Sequence, residues 1–313
     1  MREKRRSIIA KSPFFIWSFM PPLLKKILNV ILFVIKATWY IWERVFLVSL
    51  MVTLTVGLAW WLSQKPSLYR DWATDHAVLP SITFSGNLVD IKNVRNFTYR
   101  STTDYTPWYY DRSYNLDEIE SVYYIIEPFS KHDGPAHTML SFWFSWGVFV
   151  TVSAEVRKEK GEAFDAIPGL MNQFEITYIV GDENDLVKLR ANHRKDAVYM
   201  YPIKTSKEKM QWLFLSAMHR ADKLTKEPEF YNTLWNTCTT SILRHVNALR
   251  TDKIGWNKNI LLPSHSDDIA HELGLIDTSL SLTDAREYYK INDLSEEFAN
   301  DSEYSKKIRK ERR

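Results

Sequence analysis

Val45 to Leu62 (VFLVSLMVTLTVGLAWWL) runs for eighteen residues without a charge and ends in paired tryptophans, and no other stretch limits the chain so strongly. An apolar segment of ~20 residues matches the hydrocarbon thickness of a bilayer, where only a helix satisfies its own backbone. The run lies too deep in the chain for a cleaved signal peptide, and no small-residue cleavage site follows it. Met1 to Lys26 carries Arg2, Lys4, Arg5, Arg6, Lys11, Lys25 and Lys26 against Glu3 alone. That bias places the N-terminus in the cytoplasm and everything after Leu62 outside, in a single pass. Leu23 to Trp42 reads as an interfacial helix on the cytoplasmic face. Its apolar part is short, Lys36 interrupts it, and Trp39, Tyr40 and Trp42 suit the headgroup zone. A second span there would return the main domain to the cytoplasm. The expected organisation is a basic cytoplasmic segment over 1–44, a transmembrane helix over 45–62, an exported domain over 63–283 and a charged, disordered tail over 284–313.

The 313 residues, 45% hydrophobic, suffice for one sizeable domain plus attachments. The net charge of +3 is small and its basic residues gather at the chain ends, so nucleic acid is not expected as a partner. Cys238 is the only cysteine, so an exported domain must stand on its core without an internal disulfide. No Gly-rich phosphate loop, zinc-spaced cysteine set or internal repeat is visible. His132 and His137 lack a further ligand cluster, and neither a metal nor a cofactor is expected.

Within the exported part, Ile82–Phe84, Leu88–Ile91, Val94–Tyr99 and Glu118–Pro128 read as strands, and Tyr105–Tyr114 as a covering loop. Arg95 reads as one half of a strand-edge salt bridge rather than an anion site. Ala136–Phe144 and Val148–Arg157 form a hairpin around Ser145-Trp146-Gly147, a three-residue loop whose last position needs positive φ. That loop pairs Phe144 with Val148, Phe142 with Val150, Leu140 with Val152 and Thr138 with Ala154 on one apolar face. Met139 then opposes Ser153 and His137 opposes Glu155, and the second face carries His137, Ser141, Ser153 and Glu155. A carboxylate opposite a histidine fixes its tautomer and stabilises the imidazolium, as a base requires. Arg157 to Glu162 reads as a solvated turn, Phe174–Val180 and Leu186–Leu189 as strands around Gly181–Asn184, and Ser206–Lys223 as a core helix. A short helix through Ile269, Leu273 and Leu275 follows Pro263.

Asn236 or Thr237 can cap a helix that runs through Ile242, Leu243, Val246 and Leu249. Cys238 then sits in its first turn, where unpaired N–H groups and the positive end of the dipole favour a thiolate. A lone cysteine is more often a small buried hydrophobe. Position, uniqueness and an upstream histidine make this one a candidate nucleophile, with His137 approaching it in space.

The segments N-V-R-N-F-T-Y (93–99), A-H-T-M-L-S-F-W-F (136–144), S-A-E-V-R-K-E-K-G-E (153–162) and Y-N-T-L-W-N-T-C-T-T (231–240) together resemble the bacterial family with the Lnb-type N-terminal periplasmic domain. The resemblance covers roughly Trp72 to Gly274. It implies an α+β, circularly permuted papain-like (NlpC/P60-like) fold with an antiparallel sheet, the histidine strand preceding the cysteine helix, outside the inner membrane. It also implies acyl transfer, since the best-understood namesake moves a fatty acyl chain from phospholipid onto lipoprotein amino termini. Cys238 and His137 match the nucleophile and base of that family. Glu155 as third member, with Ser153 as substitute, comes from the register. The partners implied are inner-membrane lipid and, as acceptors, lipoproteins or cell-wall peptides. A cysteine hydrolase, amidase or peptidase, with water as acceptor would use the same residues, and a non-catalytic envelope protein would leave Cys238 structural.

Overall fold

The computed structural model describes residues 20–130 and 134–310, and the chain divides after Gln64 into two units. The first is a single helix, α1 (Pro22–Ser63), of 42 residues, none of them buried by protein. Pro22 opens it at a position where a missing N–H costs nothing. At 1.5 Å per residue α1 is about 63 Å long, roughly twice the ~30 Å hydrocarbon core of a bilayer. Among the described residues it is the one helix long and apolar enough to cross a membrane. Leu23–Trp42 is therefore not a separate interfacial helix. Lys36 and the Glu43–Arg44 pair break neither the backbone ladder nor the helix, and an unbroken helix has no turn at which to cross twice.

The second unit, Lys65–Arg313, is mixed α+β and is built on a nine-stranded sheet. Its strands are β1 (Ser81–Ser85), β2 (Leu88–Arg95), β3 (Tyr109–Asn115), β4 (Ile119–Pro128), β5 (Ala136–Phe144), β6 (Val148–Arg157), β7 (Glu175–Gly181), β8 (Tyr199–Pro202) and β9 (Glu229–Phe230). The main path runs β1-β2-β7-β6-β5-β4-β8, with β3 on β2 and β9 on β7. All pairings are antiparallel except the single Arg95–Gly181 bridge between β2 and β7. A Cβ on Gly181 would stand 2.9 Å from the Arg95 carbonyl oxygen and 3.1 Å from Leu186. Gly181→Ala is expected to cost about 1–3 kcal/mol, read as a lower thermal midpoint of the full chain in detergent.

The β5–β6 hairpin has the expected register, with Phe144 opposite Val148, Phe142 opposite Val150, Leu140 opposite Val152 and Met139 opposite Ser153. Gly147 has φ +70°, and Trp146 shares the left-handed region at +65°. The apolar face packs under α4 (Lys207–Leu224), whose Leu213, Phe214, Ala217 and Met218 are buried against Phe142, Phe144 and their neighbours. The opposite face is a second core rather than an exposed polar side. Tyr123, Ile125 and Met139 meet Leu186, Val187 and Ala191 there, together with Ile291, Tyr304 and Ile308 from the C-terminal region.

Other segments also depart from the sequence reading. The strand expected over Val94–Tyr99 is split, its first two residues continuing Leu88–Ile91 in β2 and Thr98–Tyr99 pairing with Tyr105–Thr106. Tyr109–Asn115 is strand β3 instead of a loop, since its polar and aromatic residues pair along β2 across a bulge beside Asn93. Leu186–Leu189 is helical. Asp182 caps α3 (Glu183–Lys188) by accepting from the Asn184 N–H, and a π-helical turn, Leu189–Arg194, continues it. The stretch over 284–310 folds as α8 (Leu282–Tyr289), α9 (Asn292–Glu297) and α10 (Tyr304–Lys307) instead of forming a disordered tail. Several of its charges are paired within the domain. The guanidinium of Arg309 grips both oxygens of the fully buried Glu183 at 2.6 and 2.8 Å, and Ser141 donates to the same carboxylate. Arg157, expected in a solvated turn, is also buried and stacks 4.1 Å over Trp72.

Candidate functional site

Helix α5 (Cys238–Ala248) begins at the cysteine itself. Thr237 caps it, its hydroxyl accepting from the Thr240 N–H while the Thr240 hydroxyl accepts from the Thr237 N–H at 2.7 Å. The cap leaves the Cys238 N–H among the first-turn donors that no helix carbonyl accepts. The helix packs on the start of β5, and Thr239 bonds Thr138 at 3.2 Å. Cys238 Sγ lies 3.8 Å from the Ala136 carbonyl oxygen, next to His137.

The β5–β6 ladder ends at Met139 and Ser153, and the polar residues beyond it join through side chains. His137 Nε2 is 2.6 Å from Ser153 Oγ and 3.2 Å from Glu155 Oε1, and Ser153 Oγ is 2.6 Å from the same carboxylate oxygen. Ionised Glu155 can only accept, so the Ser153 hydroxyl donates to it and in turn accepts from Nε2–H. This fixes a proton on Nε2 and leaves Nδ1 as the nitrogen available to the Cys238 thiol, with which His137 interacts electrostatically. Glu155 and Ser153, weighed as alternatives on sequence grounds, therefore act on His137 together.

Burial alone pushes the Cys238 thiol up. The His137 imidazole beside it and donation from Thr138 outweigh burial and bring it down to about 7. Burial likewise opposes a charged His137. The Glu155 carboxylate and the thiolate overcome burial and the repulsion of Arg190, raising His137 to about 9. Glu155 is held well below the usual carboxylate range, because His137 and Arg190 outweigh its desolvation.

Arg190, Glu127 and Thr138 went unnoticed in the sequence. Arg190, on the π-helical turn, is 2% exposed and links two carboxylates, Glu155 at 2.6 Å and Glu127 at 2.8 Å. Its third nitrogen donates to the Leu186 carbonyl at 2.7 Å. Glu127 stands directly opposite His137 on β4, so the histidine has a carboxylate on each neighbouring strand. The β4–β5 register could have found Glu127. Thr138 is the one hydroxyl on an apolar face, which was its signal. Arg95 makes a bidentate ion pair with Asp185, at 2.8 Å to each oxygen, and is structural.

An apolar cavity of about 170 Å³ opens along α5. Its wall is formed by Thr239, which follows Cys238 in the chain, and by Leu140, Ile242, Leu243, Val246 and Ile269. A second cavity of about 660 Å³ beyond the Pro263–Ser266 turn has a mixed wall that includes the charged or polar Asp196, His265, Asp267, Arg286 and Lys290. Among the described residues no group of three or more His, Cys, Asp or Glu could hold a metal, and His132 lies outside the described residues.

No curated protein and no solved structure matches the chain. A family match covers residues 105–265, a span that holds His137, Ser153, Glu155, Arg190 and Cys238 and omits the 93–99 segment of the sequence resemblance. Those residues make up just over half of the chain, which therefore belongs to the family of the Lnb N-terminal periplasmic domain.

Proposed function

We propose that this domain is a Cys/His acyl-transfer enzyme that works through a thioester, with a permuted papain-like (NlpC/P60-like) fold. We place it in the periplasm of a single-pass inner-membrane protein. The observation that carries the reading is the apolar cavity lined by Thr239, the residue after Cys238, and by Ile242, Leu243 and Val246 of the same helix. At about 170 Å³ it is comparable to the ~150 Å³ apolar cavity that encloses benzene, so it would sheathe the carbonyl-proximal part of an acyl chain.

In the first half-reaction the Cys238 thiolate attacks the ester carbonyl of a lipid. The C–S bond forms, the C–O bond breaks, and His137 gives its Nδ1 proton to the departing alkoxide. The Cys238 N–H at the helix start would donate to the oxyanion. In the second, an amine attacks the thioester, His137 takes the amine proton, and the thiolate is released. Ser153 and Glu155 hold the ring throughout. A hydrolase would share the first half-reaction and admit water in the second. The mixed cavity beyond Pro263, with Asp196, Asp267, Arg286 and Lys290 in its wall, favours a peptide-like acceptor or substrate on that side.

Quenched reaction of the full chain with phospholipid vesicles, followed by mass spectrometry, tests the reading. Cys238 is expected to gain the mass of one acyl chain. Leu243→Trp, which fills the cavity, is expected to lower the acylated fraction at least about tenfold for long chains while sparing short activated esters. An unmodified Cys238 in a folded, alkylation-competent protein would reject lipid as donor.

A further inference from the structure

One end of the domain carries large apolar side chains in water. Ile167 is 70% exposed, Trp235 55% and Tyr69 92%, with Phe164, Met171 and Leu234 beside them in sequence and also exposed. Internal bonds gather them into one region. The turn that bears Leu234 and Trp235 is closed by paired Asn232–Asn236 backbone hydrogen bonds. Thr233 Oγ1 donates to the Ala166 carbonyl at 2.8 Å, fastening that turn to the short helix Ala166–Leu170. Phe164 stacks edge-on against Tyr231, whose N–H bonds the Phe174 carbonyl. The turn leads directly into Thr237 and Cys238, so Leu234 and Trp235 stand three to four residues before the thiol in the chain.

The membrane tether arrives at the same end. The Ser67 N–H and the Arg70 guanidinium both bond Glu175 Oε1, each at 2.8 Å, next to Phe174. Only Gln64, Lys65 and Pro66 separate Ser67 from the last residue of α1. Four extended residue steps reach about 14 Å at most, whatever the disposition of the two units. Contiguous exposed apolar surface marks an interaction site, and Trp and Tyr concentrate where membrane meets water.

We propose that this end of the domain inserts into the interface of the membrane that carries α1, so that Cys238 opens onto lipid. Insertion stands on exposure and tethering, and its consequence for Cys238 rests on the acyl-transfer reading. The uncharged run Val45–Leu62 ends one residue before α1 does, so the short tether keeps the patch near the bilayer and selects a lipid surface over a soluble protein.

The test uses the full chain with Cys238→Ser, reconstituted in phosphatidylethanolamine–phosphatidylglycerol vesicles. Single nitroxide labels go on Ile167→Cys, on Leu234→Cys and, as reference, on Trp146→Cys at the far end of the β5–β6 hairpin. Spin relaxation by oxygen and by a water-soluble nickel chelate is compared at each position. Labels at 167 and 234 are expected to favour oxygen over nickel at least about tenfold more than the label at 146. Equal nickel access at all three positions would overturn the proposal, and so would dipolar broadening between copies, which would assign the patch to self-association. With Cys238 restored, Ile167→Asp with Leu234→Asp is expected to lower acylation from vesicles at least tenfold while leaving alkylation by iodoacetamide unchanged. Full acylation in that variant would also overturn it. Because the spin-label readout needs no chemistry at Cys238, failure of insertion and failure of the acyl-transfer reading remain distinct.

Discussion

In His137→Ala the Cys238 thiol is expected to titrate above the ordinary ~8.5, and alkylation at pH 7 to fall at least ~15-fold. The sign follows from the forces on the sulfur. Burial raises its pKa, and the imidazole is the largest influence that lowers it to about 7. Without the imidazole, burial and weak donation from Thr138 remain. The intact protein keeps a thiolate–imidazolium pair between about 7, set at the thiol, and about 9, set at His137. Acyl transfer is therefore expected to follow a bell. It rises as the thiol loses its proton and falls as His137 loses the one it must give the leaving group, with both limbs belonging to the coupled pair. Cys238→Ser removes the nucleophile at nearly constant volume and is expected to abolish the acyl-enzyme with the fold intact. Glu155→Gln is expected to pull the alkaline limb downward, because Glu155 is the leading influence that raises His137 against burial. A single alkaline limb near 8.5, unchanged by His137→Ala in a folded protein, would make Cys238 a structural residue.

Much of this site is local, and local features are what a sequence displays. The Gly147 turn and the sorting of Phe142, Val150, Leu140 and Val152 onto one face fixed the register, which in turn brought His137 to Glu155. N-T-C-T-T carried the cap of α5 in its own residue types. What the chain concealed depends on contacts between distant segments. L-V-K-L is a short apolar run whose pattern alone cannot tell a strand from a helix turn, and the Asp182–Asn184 cap starts it as a helix. The residues over 284–310 look like solvated charge, because Tyr289, Ile291, Tyr304 and Ile308 are spread among lysines and acids without a sustained period. They bury themselves only once the second face of the sheet exists. Arg190 follows that helix in L-R-A-N-H-R, where nothing in the local pattern announces the carboxylates it will meet from β4 and β6.

The same remoteness makes Arg190 the most consequential residue outside the Cys–His pair. In Arg190→Met the packing volume is nearly kept, but Glu127 and Glu155 lose the cation between them. Glu127 is fully buried, and its remaining cation, on Arg194, is 3.5 Å away on a side chain that is 40% exposed. Removing one partner from a buried ion cluster typically costs about 3–5 kcal/mol, since the charge left behind keeps its desolvation penalty. For a domain of this size that is roughly 6–20 °C in thermal midpoint, measurable by near-UV circular dichroism of the full chain in detergent. The pH dependence separates an electrostatic loss from a packing loss. Glu155 is depressed in the folded protein by His137 and Arg190, so its stabilising contribution is present above its ordinary pKa and lost as pH falls through the folded value. With Arg190 gone, the Glu155 carboxyl takes up its proton at higher pH than before. The gap between variant and parent is therefore expected to narrow from pH 7 toward pH 5. Adding Glu127→Gln to Arg190→Met is expected to recover part of the lost midpoint at pH 7, as it removes one of the two stranded charges. A gap that stays constant over this range, with no recovery in the double variant, would mean that Arg190 serves as filler and that Glu155 is held ionised by His137 alone.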